Sequence, residues 1–133
     1  MADTPVLIIA GSESDRERVA PAFKALENAG VEYDFVVSSA HRNPEQTAAI
    51  AKSAQSKGYK VIIAAAGLAA ALPGAVAAFT ELPVVGLPLD VGPLRGVDAL
   101  YAIVQLPPGC PVGTVGIGNA KNAALFALRI LNS

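Results

Sequence analysis

Five short apolar segments recur along the chain, separated by stretches in which polar and apolar residues mix. They cover Val6–Ala10, Tyr33–Val37, Val61–Ala66, Pro83–Leu87 and Val112–Ile117. In a half-exposed strand, polar and apolar residues alternate, and most of these segments lack that alternation. Its absence is typical of parallel strands that are covered on both faces. The sequence therefore predicts five strands, most of them buried.

Helical segments separate most of these strands. Ser14 and Glu17 are spaced as a capping box before the first helix, and Gly30 lies just past its end. Asn43 followed by Pro44 is typical of a helix N-terminus. The predicted helices cover about 15–28, from 44 to the terminator Gly58, a short Ala-rich stretch after Pro73, about 97–106 and about 119–131.

The alternation of strands and helices predicts a doubly wound α/β fold, a flavodoxin-like three-layer sandwich with right-handed crossovers. Five parallel strands suggest the order 2-1-3-4-5. No internal repeat, low-complexity tract or linker divides the 133 residues, so we expect one domain. The stretch 90–96, with two glycines and Pro93, is expected to form a surface loop rather than a hinge.

The composition predicts association with other copies of the chain. Hydrophobic residues make up 53% and charged residues 16% of the sequence, against roughly 25% charged in ordinary soluble domains. A monomer would leave apolar surface exposed, so we expect part of it to be buried between subunits. Segments 69–79 and 120–131, rich in small side chains, are expected there; alternatively, both only cover the sheet of their own subunit.

Charge, cysteine content and the length of the apolar runs exclude several function classes. The net charge of -1 gives no electrostatic reason to expect nucleic acid or an anionic membrane as partner. Cys110 is the only cysteine, which excludes an intrachain disulfide or a cysteine metal cluster, and we expect a packed thiol. No stretch has the pattern of a secretory signal or a membrane span, so we expect a cytoplasmic protein.

Polar residues and glycines collect in the loops that follow four of the predicted strands. These loops are 11–15, 38–42, 67–74 and 118–119, and each leads into a helix. In open parallel sheets, ligands bind beyond the carboxyl ends of the strands, and helix N-termini there favour phosphate. The sequence therefore predicts a nucleotide-type ligand site at that edge of the sheet.

Two neighbouring residues carry the strongest chemical signal. His41 is the only histidine, and it precedes Arg42 in a strand-to-helix loop. The guanidinium fork of arginine grips phosphate, whereas imidazole can transfer protons near neutral pH. Other residues of these loops also have a structural explanation, since Ser14 and Asp15 could cap a helix and Gly11 could form the turn out of a strand.

Several motifs occur in order over nearly the whole chain. They are Gly-Ser-Glu-Ser-Asp at 11–15, Ser-Ala-His-Arg-Asn-Pro at 39–44, Ala-Gly-Leu-Ala-Ala at 66–70, Leu-Pro-Gly at 72–74 and Gly-Val-Asp-Ala-Leu at 96–100, with further matches at 103–107, 111–115 and 122–125. Together they resemble the PurE family, the 5-(carboxyamino)imidazole ribonucleotide mutases of purine biosynthesis. The resemblance implies an octamer without metal or organic cofactor. It also implies an aminoimidazole ribonucleotide as small-molecule substrate, whose carboxyl group moves from the exocyclic nitrogen N5 to the ring carbon C4.

The resemblance implies a role for each matching residue. Four residues would hold the phosphate: Ser12, Ser14, Ser39 and Arg42. Asp15 would bind the ribose, and His41 would move the proton. Four more would present backbone groups to the imidazole and the carboxylate: Gly67, Leu68, Ala71 and Leu72.

Two features depart from the family pattern. Ala71 occupies the position before Leu-Pro-Gly where the family usually has a histidine. Family members also typically continue into a C-terminal helical extension, so we expect residues 1–133 to form a single PurE-like domain without it. Three alternatives to the mutase stay open: a carboxylase that uses free carbon dioxide, a nucleotide-binding module with impaired chemistry, and a self-assembling scaffold of natural or engineered origin.

Overall fold

The apolar segments pair as parallel strands in the computed structural model, which describes residues 4–133. The strands are β1 (Val6–Ala10), β2 (Tyr33–Val37), β3 (Val61–Ala66), β4 (Val84–Pro88) and β5 (Gly113–Thr114). They form one sheet with the order β2-β1-β3-β4-β5, and every neighbouring pair is parallel. The flavodoxin-like order predicted from the sequence is therefore confirmed.

Between residues 4 and 133, four α-helices connect these strands and a fifth follows β5. They are α1 (Arg16–Asn28), α2 (Pro44–Ala54), α3 (Leu72–Ala78), α4 (Val97–Val104) and α5 (Ala120–Leu131). Pro44 is the first residue of α2, and Gly30 follows α1 with a left-handed φ of +71°, as their sequence positions predict. Within residues 4–133, no helix has the length and apolar content needed to cross a membrane.

The sheet separates two apolar clusters, which form the core of the three-layer sandwich. Helices α1 and α5 cover the cluster that contains Ile8 and Ile63. Helices α2, α3 and α4 cover the other, which contains Ile9 and Ile62. Successive residues of β1 and β3 thus alternate between two covered faces, and both strands are buried along their whole length. This burial explains why neither strand contains a polar residue.

The predicted capping box of Ser14 and Glu17 is wrong. A 3-10 turn over Glu13–Asp15 precedes α1, so that α1 begins at Arg16 with Asp15 as its N-cap, and the Asp15 side chain makes no capping bond. The cap lies earlier in the chain, because Ser12 Oγ accepts a hydrogen bond from the Ser14 N–H at 3.3 Å. The extra turn keeps both serines at the end of β1, outside the regular helix.

Several predicted boundaries are too long. Strand β5 pairs only over Gly113–Thr114 instead of 112–117, and residues 117–118 form a turn. The Gly118 N–H still donates to the Pro88 carbonyl at 2.7 Å, which keeps this segment beside β4. Helix α2 ends at Ala54 and continues as turns to Gly58, and α4 ends at Val104 rather than 106.

Candidate active site

The loops that follow β1, β2 and β3 enclose a pocket of about 500 Å³ at the carboxyl edge of the sheet. Since β1 lies between β2 and β3, the winding direction of the chain reverses here. All ten site residues predicted from the sequence line this pocket: Ser12, Ser14, Asp15, Ser39, His41, Arg42, Gly67, Leu68, Ala71 and Leu72. The predicted fourth loop, 118–119, lies outside it, because β3 and β4 separate β5 from β1.

The first loop brings two hydroxyl groups together. The Oγ atoms of Ser12 and Ser14 lie 2.9 Å apart. The Asp15 N–H donates to the Ser12 carbonyl at 3.0 Å, which closes the 3-10 turn and fixes this spacing. Both serines are exposed at the pocket, so each hydroxyl can rotate to donate a hydrogen bond to an anion.

A buried pair of hydroxyl groups anchors the second loop. Ser38 Oγ and Thr47 Oγ1 lie 2.7 Å apart and connect the end of β2 to α2. Beyond this anchor, Ser39 Oγ accepts a hydrogen bond from the Arg42 N–H at 3.1 Å, so the loop turns back on itself. The turn leaves the side chains of His41 and Arg42 exposed along the pocket.

The third loop lines the pocket mainly with its backbone and with small side chains. Val91 fills the space that a side chain at Gly67 would need. Ala69 has a left-handed φ of +49°, and α3 begins at Leu72 directly after the loop. Ala71 contributes only a methyl group to the lining, so this position supplies no group that could exchange a proton.

Two guanidinium groups and one carboxyl group set the charge of the pocket. Arg18, Arg42 and Asp15 all line it. Burial raises the pKa of Asp15 above its ordinary value of 3.8, against the opposing effects of Arg18 and a backbone hydrogen bond with Ser12. In either protonation state of Asp15, the three side chains carry net positive charge, which suits a phosphate group.

Seven further residues line the pocket. Five of them belong to the predicted site loops or family motifs without a predicted role of their own: Gly11, Ala40, Ala66, Ala69 and Ala70. Arg18 and Val91 lie outside those loops and motifs. Arg18 could have been predicted as a pocket residue, since it lies three positions after Asp15 and therefore on the same face of the helix start. Val91 could not, because its contact depends on the path of the predicted loop 90–96 over the end of β3.

The described part of the chain offers no cluster of metal-ligating side chains. Within residues 4–133, no group of three or more His, Cys, Asp or Glu residues lies close enough together to hold a metal ion. Cys110 lies outside the pocket and packs against the apolar cluster that α2, α3 and α4 cover, as expected for a packed thiol.

The chain is similar to known proteins over almost its whole length. The AIR carboxylase family model matches residues 5–133. The chain is 53% identical over 125 residues to the N5-carboxyaminoimidazole ribonucleotide mutase of Pyrococcus abyssi, covering 94% of this chain and 72% of that protein. For the Synechocystis protein of the same name, the identity is 52% over 126 residues, with coverages of 95% and 72%. The crystal structure of Treponema denticola PurE matches with a TM-score of 0.86 at 30% identity, covering 96% of this chain and 79% of that one.

The burial of Asp15 gives a prediction about stability. Because its pKa is raised on folding, Asp15 contributes stability below about pH 3.8 that is lost as the pH rises through the folded-state pKa. At pH 7 the ionised carboxylate therefore lowers the free energy of unfolding. We expect Asp15→Asn to unfold at higher urea concentration than the unsubstituted chain at pH 7, and the difference to shrink as the pH is lowered towards 3.8.

The matched control is Asp90→Asn, which removes an exposed carboxylate. We expect its urea midpoint to follow that of the unsubstituted chain across the same pH range. A lower midpoint for Asp15→Asn than for the unsubstituted chain at pH 7 would show that burial does not dominate the energetics of this carboxyl group.

Proposed function

This chain belongs to the AIR carboxylase family, and on that basis we propose that it is an N5-carboxyaminoimidazole ribonucleotide mutase of purine biosynthesis. Such an enzyme moves a carboxyl group from N5 to C4 of the aminoimidazole ring. The observation that carries the proposal is the meeting of three separate loops, with every residue that the family resemblance implicates, in one pocket. We propose that the enzyme works in the cytoplasm.

We assign the phosphate to the first two loops. Four residues hold it in this proposal: Ser12, Ser14, Ser39 and Arg42. The two serine hydroxyls, 2.9 Å apart, can donate to neighbouring phosphate oxygens, and a guanidinium fork binds such oxygens in pairs. Arg18 adds a second positive charge to the pocket lining. Asp15 is assigned to the ribose, whose hydroxyl groups can donate to its carboxylate.

We assign the imidazole and its carboxyl group to the third loop. Gly67, Leu68, Ala71 and Leu72 present backbone groups there in this proposal. Ala70 and Leu72 are 1% and 2% exposed, so the floor of this half of the pocket is apolar. An apolar, restricted space can hold carbon dioxide close to the ring carbon and keep water away from it.

The reaction needs one proton to move, and His41 is the group we assign to it. The N5–carboxyl bond breaks, its electron pair returns to nitrogen, and N5 takes up a proton. Carbon C4 then attacks the released carbon dioxide, and the proton on C4 leaves to complete the product. His41 can supply the first proton and accept the second, so it ends in its starting state. No other histidine exists in the chain, and Ala71 leaves no second imidazole in the pocket.

We therefore expect His41→Asn to lower turnover by about 100-fold or more, because proton transfer typically contributes 10²–10⁴-fold. Substrate affinity should change little.

Arg42→Ala should instead raise KM and weaken binding of aminoimidazole ribonucleotide in a calorimetric titration, since it removes a phosphate contact. A spectrophotometric assay with N5-carboxyaminoimidazole ribonucleotide, and separately with aminoimidazole ribonucleotide plus bicarbonate, measures both effects.

The matched control is Lys57→Ala, which removes an exposed cation from the turn after α2, outside the pocket. Its kinetics should equal those of the unsubstituted chain. Turnover only with bicarbonate would favour the carboxylase alternative. Nucleotide binding without turnover in the unsubstituted chain would favour the binding-module alternative, and the absence of both binding and turnover contradicts the proposal.

We also propose that the enzyme assembles with copies of itself, and that the octamer implied by the family resemblance is its form. The predicted segments cover their own sheet in part, since Val76 and Ala124 are fully buried. Helix α4 was not predicted to contribute, yet Val97, Tyr101 and Val104 are 42%, 63% and 48% exposed at one-turn spacing. An apolar stripe of this kind on a helix is typical of an interface.

Light scattering coupled to size exclusion at micromolar concentration tests the assembly. We expect a single species several times heavier than the 13.5 kDa chain. Tyr101→Glu should shift it to smaller species, because burying a carboxylate at an apolar interface is unfavourable. Gln55→Glu, an exposed change after α2, should leave the mass unaltered. A monomer peak for the unsubstituted chain contradicts assembly.

A further inference from the structure

Asp98 connects helix α4 to the third loop of the pocket. Its Oδ2 atom accepts a hydrogen bond from the Ala69 N–H at 3.4 Å, across 29 positions of sequence. Asp98 lies in the Gly-Val-Asp-Ala-Leu motif at 96–100, which the proposed function leaves without a role. We propose that Asp98 is a positioning residue, which holds the backbone at Ala69 so that the third loop keeps its catalytic conformation.

The backbone conformation of Ala69 requires such support. Its φ of +49° is in the left-handed region, which is unfavourable for a residue with a Cβ atom. Strained conformations of this kind persist only where surrounding contacts fix them. The hydrogen bond from the Ala69 N–H to Asp98 holds the orientation of the peptide group between Leu68 and Ala69. Ala69 lines the pocket, so a change in this peptide alters the pocket surface.

Helix capping does not explain the position of the Asp98 carboxylate. Asp98 lies in the first turn of α4, where a carboxylate could bond to the free N–H groups of its own helix. The N-cap is Gly96, which has no side chain to contribute, and α4 has no side-chain capping bond. The Oδ1 atom is buried without a hydrogen-bond partner. The carboxylate therefore carries a desolvation cost without capping its own helix.

The segment 91–98, which ends at Asp98, contacts the third loop of the pocket at two further points. Val91 fills the space beside Gly67, and the Leu68 side chain fills the space beside Gly92. These contacts are apolar and fix how closely the two segments approach. They do not fix the direction of a peptide group, which needs a hydrogen bond. Asp98 supplies that bond at the next residue of the loop.

The consequence for catalysis rests on the proposed function, whereas the consequence for the loop does not. The third loop faces the imidazole and carboxyl half of the substrate, and the residues assigned to phosphate lie on the other two loops. Loss of the Asp98 carboxylate should therefore lower kcat while leaving the affinity for inorganic phosphate unchanged. A general loss of folding would weaken both.

The experiment compares Asp98→Ala with Asp98→Asn, which keeps an oxygen that can accept from the Ala69 N–H. Glu17→Ala is the matched control, since it removes an exposed first-turn carboxylate from α1. Hydrogen exchange of the peptide covering 67–71 reports on the loop, steady-state kinetics report kcat, and calorimetry reports the Kd of inorganic phosphate. All four proteins are measured as the full chain.

We expect Asp98→Ala to exchange about tenfold faster at 67–71 and to lose about 100-fold in kcat, as misplaced catalytic groups do. The Kd of phosphate should stay within about twofold in every variant. Asp98→Asn should retain slow exchange and most of the activity. Unchanged exchange in Asp98→Ala, or equal damage from Glu17→Ala, overturns the proposal. If the unsubstituted chain shows no turnover, the proposed function fails, and the exchange measurement still decides the role of Asp98.

Discussion

Burial of β1 and β3 on both faces is the constraint on which the rest of the structure depends. Two helical layers must cover these strands, so the crossovers return every strand in the same direction and their carboxyl ends share one edge. Because β2 pairs with β1 on the side opposite β3, three consecutive loops emerge side by side. Residues that are far apart in sequence, such as Ser12, Arg42 and Gly67, therefore line one pocket.

Several features of the pocket lower the free energy of unfolding. Asp15 is 7% exposed and its pKa is raised by burial, Ala69 has a left-handed backbone, and one oxygen of Asp98 is buried without a partner. Each feature is unfavourable when taken alone, and each lies in or directly behind the pocket. Comparable features also occur outside the pocket lining, at Arg95 with a φ of +53° and at the unpartnered Thr114 Oγ1. At the pocket, the surrounding fold holds groups in positions they would not otherwise adopt.

The strand order could be predicted from local patterns in the sequence, namely apolar runs and helix signals. The ten site residues were predicted from motifs that resemble the PurE family; all ten line one pocket, and their roles in binding and catalysis stay predictions. The predicted capping box at Ser14 is wrong, since a 3-10 turn precedes the helix, and β5 is shorter than predicted, since only Gly113 and Thr114 pair with β4 before the turn at 117–118. The contacts of Val91 and Asp98 with the third loop depend on long-range packing, so periodicity and spacing gave no signal for them.

In the proposed reaction, one pocket moves a carboxyl group within a single bound nucleotide. Freshly prepared substrate with ¹³C in the N5 carboxyl group, incubated with the chain in unlabelled bicarbonate buffer, tests it most directly. We expect nuclear magnetic resonance to find the ¹³C label attached to C4 of the product, undiluted by carbon from the buffer. A product that carries unlabelled carbon at C4, or the release of labelled carbon dioxide without any carboxylated product, would contradict it.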